Sequence, residues 1–179
     1  MRKSVVVISA SLRENSNSNT LAEAFAKGAE EAGNEVEFIT LRDKKIGFCR
    51  GCLACQRTGS CVIRDDANRI AEKVLMAQVV AFATPIYYYE MSGQMKTLLD
   101  RMNSLYPRDY AFRDVYLMSS AADTEPSTPE RAINGLKGWI ACFEKARFKG
   151  SVFCGGVDAP GDAAGKAAVE QAYEMGKHI

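Results

Sequence analysis

The sequence has no surplus of either charge, no long apolar run and a single histidine. Its 23 basic and 22 acidic residues leave a net charge of +1, so neither a nucleic-acid footprint nor an acidic docking surface is implied. The longest apolar stretch, VLMAQVVAFA at 74–83, is interrupted by Gln78 and is too short to cross a bilayer, so no membrane is expected as a partner. Arg2-Lys3 stand before an apolar run that covers only Val5 to Ile8. No export is therefore expected, and a cytoplasmic location is. Two nucleotide-binding patterns are missing as well. No G-x-G-x-x-G follows the first apolar run, and GDAAGKA at 161–167 is one residue short of a Walker loop and ends in Ala where Ser or Thr must hold magnesium.

What is present bounds the answer further. At 179 residues, 47% hydrophobic and 25% charged, the chain suits one soluble domain, 1–179, with a sizeable core. Six cysteines without an export signal are expected to be reduced thiols or metal ligands, and their spacing becomes the question.

Residues 4–20, SVVVISASLRENSNSNT, organise the rest. Val5, Val6, Val7 and Ile8 form the continuous β-branched run that a parallel strand covered on both faces requires. A helix follows, with Leu21, Ala24, Phe25, Ala29 and Ala32 at helical spacing and Gly33-Asn34 as its stop. Between them lie Ser9, Ser11, Arg13, Asn15, Ser16, Asn17, Ser18, Asn19 and Thr20. One helix cap needs fewer such residues. The unpartnered N–H groups of a helix start favour an anion, so the loop is read as a phosphate site.

Further along, EVEFITL at 35–41 predicts a second strand, at an edge, with Val36 and Phe38 on one face and Ile39 and Leu41 on the other. A basic, cysteine-rich loop spans 42–64, and a loop of that length is usually functional or disordered. Asp65-Asp66 cap a helix carrying Ala67, Ile70, Ala71, Val74 and Leu75. A third strand is predicted at 78–85, followed by the loop IYYYEMSG and a helix capped by Ser92. A fourth strand is predicted at Val115 to Ser119, then the loop SSAADTEPS and a helix with Thr128 as cap and Pro129 in its first turn. A fifth strand is predicted at 151–157, with a last helix carrying Val169, Ala172 and Tyr173. Cys142 and Cys154 fall in a helix and a strand and are read as core residues.

Strict alternation implies right-handed crossovers and a parallel sheet with helices on both faces. The expected fold is α/β, a doubly wound five-stranded sheet of flavodoxin-like order 2-1-3-4-5. The loops after strands 1, 3 and 4 then share one crevice at the switch point. Tyr87, Tyr88 and Tyr89 stand beside that crevice and suit a flat ring, although any one of them could equally cover the core or a subunit contact.

Ser11-Leu12-Arg13-Glu14-Asn15-Ser16-Asn17-Ser18 resembles the S-P-R-x-N-S-N-T phosphate loop of the NAD(P)H-dependent FMN reductase and iron-sulfur flavoprotein group within the flavodoxin-like superfamily. Leu12 replaces a frequent Pro and Ser18 replaces Thr, changes that keep the donors. TPIYYYEMSGQMKTLLDR at 84–101 is similar to that group's S-P-x-Y-x-x-x-x-S-x-x-M-K-x-x-x-D-R segment, which borders the flavin ring. The resemblance covers nearly the whole chain and implies bound FMN. It implies a phosphate anchor from Ser9, Ser11, Arg13, Ser16, Asn17 and Ser18, a ring pocket from Pro85, Ile86, Tyr87 and Tyr88, and loop contacts at Ser119, Ser120, Ala121 and Ala122. It also implies a homodimer or homotetramer.

Cys49, Cys52, Cys55 and Cys61 form C-x2-C-x2-C-x5-C. Such crowded thiolates are the usual ligands of a [4Fe-4S] cubane, whose charge Arg50, Arg57 and Arg64 could offset. Zinc prefers separated pairs or added histidines, and the one histidine is His178 near the end of the chain. The alternative is a reduced loop in which the cysteines only pack. The expected function is FMN-dependent NAD(P)H oxidation, passing electrons to a small acceptor such as a quinone or flavin, or to an iron-sulfur centre. A flavodoxin-like or cluster-containing electron carrier that meets a protein acceptor is the alternative, and a metal-binding or redox-sensing module using the cysteine loop alone is a third reading. No side-chain acid or base is required.

Overall fold

The computed structural model describes residues 2–179. Strand β1 (Ser4–Ser9) lies inside the sheet between the edge strand β2 (Glu35–Thr40) and the middle strand β3 (Val79–Tyr87), with β5 (Asp114–Ser120) and β6 (Arg147–Cys154) beyond. All four pairings along the path β2-β1-β3-β5-β6 are parallel. Counting only these strands, this is the expected 2-1-3-4-5 order. A further short strand, β4 (Glu90–Met91), folds back on the end of β3 as an antiparallel hairpin.

Helices cover both faces, which is why the central strands are apolar without alternation. Val6, Ile8, Val80, Phe82, Val115 and Leu117 pack under α3 (Asp66–Met76), α4 (Gly93–Arg101) and α5 (Glu130–Ile140). Val5, Val7, Ala81, Ala83 and Met118 pack under α1 (Asn17–Glu31) and α6 (Ala167–Lys177). Ser16, Asp65 and Ser92 cap α1, α3 and α4 by accepting backbone N–H bonds. β2 is the edge strand, with Ile39 buried and Phe38 facing solvent.

Several boundaries differ from expectation. β6 begins at Arg147 and ends at Cys154, because an edge strand with one solvated side tolerates RFKG where a central one would not. Pro129 itself occupies the cap position of α5, and Thr128 makes no side-chain cap bond. Cys142 lies just past the end of α5 and is exposed, not in the core, whereas Cys154 is buried in β6. The cysteine-rich loop contains one short helix, α2 (Ala54–Thr58). Among the described residues, no helix is long and apolar enough to cross a membrane.

Candidate functional site

Four loops meet at the carboxyl ends of the strands. Ten of the residues expected around the flavin line one crevice of about 180 Å³: Ser11, Arg13, Ser16 and Asn17 after β1, Pro85, Ile86 and Tyr87 at the end of β3, and Ser120, Ala121 and Ala122 after β5. Its fourth wall, Val157, Asp158 and Pro160, comes from the loop after β6. That wall was missing from the sequence reading, although GGVDAPGDAAG is dense in turn residues and follows a strand of the same sheet.

The loop after β1 is tied to this fourth wall. Asn17 Nδ2 donates to the Ala159 carbonyl at 3.0 Å, and Asn17 Oδ1 accepts from the Ala163 N–H at 3.0 Å. The Asn17 side chain is thus engaged in scaffold bonds. Arg13 reaches the same loop, its Nη1 donating to the Asp158 carbonyl at 3.0 Å. Ser16 Oγ accepts from the Asn19 N–H, while Asn17 and Ser18 occupy the first helical positions, whose N–H groups have no intrahelical partner. A ring of N–H groups, the Ser11 hydroxyl and the Arg13 cation at a helix start is a donor set that fits a phosphate monoester.

Four expected residues do not line the crevice. Ser18 is buried and pairs with the Ser16 hydroxyl at 3.2 Å. Ser9 and Ser119 are buried on the ends of β1 and β5, and neither hydroxyl has a partner. Buried orphan hydroxyls beside the crevice fit the polar edge of a ligand. Tyr88 is 98% exposed, because the β3–β4 hairpin turns at Tyr88-Tyr89 and carries it away from the crevice. Asp123 Oδ1 accepts the Glu125 N–H at 3.1 Å, and this bond is the chief reason its carboxyl is held below its ordinary value, with smaller contributions from Thr128, Thr124 and Tyr89.

Tyr88 and Tyr89 both hold left-handed backbone, with φ of 51° and 65°. Two-residue hairpins need positive φ at both turn positions, which Asn-Gly supplies without the steric cost a tyrosine incurs. The double variant Tyr88→Asn/Tyr89→Gly is expected to be more stable than the parent by about 1 kcal/mol. Urea denaturation followed by circular dichroism checks this. A lower midpoint would show that the tyrosines hold the turn by contacts that outweigh its strain.

The second cluster lies in the loop between β2 and α3. Cys49, Cys52, Cys55 and Cys61 line one small enclosed pocket together with Asn103. Gly51 N–H donates to Cys49 Sγ and Asn103 Nδ2 to Cys55 Sγ, both at 3.4 Å. Gly51 and Leu53 take φ of 64° and 55° to turn the chain between the cysteines. Among the described residues, no three His, Cys, Asp or Glu side chains converge on a point that could hold a single ion. Four sulfurs around a shared pocket, with amide donors to two of them, suit a larger inorganic core instead.

The sheet order and the crevice at its switch point define a flavodoxin-like protein, and solved structures agree on the fold. An NAD(P)H:quinone oxidoreductase from Methanothermobacter marburgensis superposes with a TM-score of 0.79 at 19% identity, covering 99% of this chain and 96% of that one. The family model for NADPH-dependent FMN reductases matches residues 4–143. The chain belongs to that family. An iron-sulfur flavoprotein of Archaeoglobus fulgidus is 39% identical over 97 residues, 54% of this chain and 44% of that protein. A putative NAD(P)H-dependent FMN-containing oxidoreductase of Bacillus subtilis is 32% identical over 110 residues, 62% and 57% of the two chains. The chain spans about half the length of the curated relatives it matches.

Proposed function

We propose that the protein is an FMN-dependent NAD(P)H oxidoreductase that passes electrons to a small quinone- or flavin-like acceptor, and to an iron-sulfur cluster held by Cys49, Cys52, Cys55 and Cys61. The observation that carries the flavin reading is one crevice joining a phosphate-type helix start to the Pro85–Tyr87 wall. When bound, FMN would supply the hydride and single-electron chemistry, and the protein's share is binding and orientation. Arg13, Ser11 and the first-turn N–H groups of α1 hold the phosphate, while Pro85, Ile86 and Tyr87 form the wall for the ring. Ser120, Ala121 and Ala122 close its other side.

A second groove of about 510 Å³, lined in part by Leu12, Arg42, Lys44, Ile46 and Phe48, shares Tyr87 with the crevice. Its apolar floor and two cations suit the ring and phosphates of a nicotinamide or an acidic acceptor. Phe48 adjoins Cys49, so this groove lies between the flavin wall and the cysteine loop. Leu12, Phe48, Leu53 and Tyr88, all exposed beside the site, support assembly as a homodimer or homotetramer.

Anaerobic NAD(P)H oxidation with a quinone as acceptor tests the enzyme reading; flavin that NAD(P)H does not bleach would leave an electron carrier. The anchor has its own test. Arg13→Ala is expected to weaken FMN about tenfold or more while leaving riboflavin unchanged, since charge-assisted bonds contribute about 1.5–3 kcal/mol and only FMN carries the phosphate. Equal loss for both ligands, measured by fluorescence titration, would show that Arg13 does not touch phosphate.

A further inference from the structure

Arg101, the last residue of α4, is buried beneath the cysteine loop and has no role in the flavin crevice. Its Nη1 donates to the Gly47 carbonyl at 2.8 Å and to Asp65 Oδ2 at 2.6 Å. Its Nη2 donates to the Ile63 carbonyl at 3.1 Å and to Asp65 Oδ1 at 2.9 Å. Gly47 and Ile63 stand on either side of the segment that contains all four cysteines. Asp65 completes the closure, since its Oδ2 also accepts the Gly47 N–H and its Oδ1 caps α3 through Ala67. Burial alone would push the Asp65 carboxyl up, but Arg101 and these N–H groups hold it below its ordinary value.

A guanidinium has five N–H donors, and these bonds engage four. The fifth, on Nε, is buried without a partner. Such an orphan costs about 1–3 kcal/mol and native structures contain few, so it calls for a physical explanation. Burial alone would push the guanidinium's pKa down, but Asp65 and the neighbouring Cys61 side chain hold it above its ordinary value. Both Nη groups are engaged elsewhere, so Nε–H is the one donor of Arg101 still free, and it makes no hydrogen bond to Cys61 in this structure. A neutral thiol accepts weakly, whereas a metal-bound thiolate accepts well.

We infer that Arg101 is the positioning residue of the cysteine loop: its two Nη groups close the ends of the loop, and its Nε–H donates to the Cys61 sulfur once that sulfur is a metal-bound thiolate. The inference rests on the cluster reading proposed above. Because Ser92 at the start of α4 donates its N–H to Thr84 Oγ1 on β3 at 2.9 Å, one rigid helix joins the flavin wall to the cluster loop. A donor and a cation beside a ligand sulfur favour the more negative, reduced cluster, so Arg101 raises the reduction potential.

The test compares anaerobically reconstituted wild type, Arg101→Lys and Lys96→Ala, the last an exposed change on the same helix. Iron near zero in the wild type removes the cluster reading, and the inference with it. With the wild type loaded, Arg101→Lys is expected to release iron to a chelator about tenfold faster or more. Its loaded fraction should be reduced at a lower potential, while Lys96→Ala matches the wild type in both. Faster release with an unchanged potential would overturn the contact to sulfur, and wild-type values of both would overturn the whole inference. FMN retention reports folding. Should Arg101→Lys not fold, Asp65→Asn, which loosens the guanidinium without removing it, should also speed iron release, and a wild-type rate there overturns the inference.

Discussion

Gly176→Ala should lower stability by about 3 kcal/mol, as the packing of α6 against α1 leaves no room for a methyl group there. A Cβ at Gly176 would fall 2.0 Å from the Phe25 carbonyl oxygen and 2.8 Å from its carbon. Across the same contact, a Cβ at Gly28 would fall 2.0 Å from the Tyr173 carbonyl oxygen. Both neighbours are helix backbone, which cannot rotate aside as a side chain would. Overpacking typically costs about 1–3 kcal/mol and more where backbone must shift, against about 1 kcal/mol gained in helix propensity. The melting temperature should fall by roughly 6–12 °C for a chain of this size. Gly138→Ala in α5 is the control, because its Cβ would meet nothing within 4 Å. There the propensity gain stands alone, and stability should rise by up to about 1 kcal/mol. Equal thermal shifts for the two variants would mean that α1 and α6 separate at no cost.

This contact matters for the proposed site because α1 begins at the loop after β1 and α6 follows the fourth wall, with Asn17 bonding the two loops directly. Gly176→Ala should therefore also weaken FMN retention.

The sheet was legible because burial on both faces forces runs such as Val5 to Ile8 and Val79 to Ala83, and alternation with helical patterns fixes the strand order. The lining of the crevice was legible for the same reason: topology alone says which strand ends border the switch point. What escaped was local. Nothing in YYYE announces a two-residue hairpin, since the turn lacks the Asn or Gly that its backbone favours. RFKG reads as surface because β6 is an edge strand. Arg101 sits in the last turn of a helix, where a basic residue ordinarily serves the helix dipole in solvent. Only the fold shows that it turns inward to Asp65 and the cysteine loop. Exposed Cys142 looked like a core residue because its spacing continued a helix that ends at Ile140.

Wild-type protein reconstituted without oxygen should hold about four irons and four sulfides per chain, and Cys52→Ala should hold almost none. No residue from Arg42 to Asp66 is buried, so the cysteine loop has no apolar core of its own. Apart from the Arg101 closure and the short α2, metal ligation would be the main force ordering its interior. Removing one of four thiolates should therefore cost both the iron and the order of the loop. Two readouts follow: loss of the broad absorbance beside the flavin bands, and faster tryptic cleavage at exposed Arg50 and Arg57. Cys142→Ala should change neither, because that exposed thiol lies beyond α5 and away from the loop. On the proposed function, NAD(P)H should still bleach the flavin of Cys52→Ala, since the residues proposed to hold FMN belong to other segments. Near-zero iron in the wild type, or full iron in Cys52→Ala, would remove the cluster and leave a flavin reductase with a reduced cysteine loop.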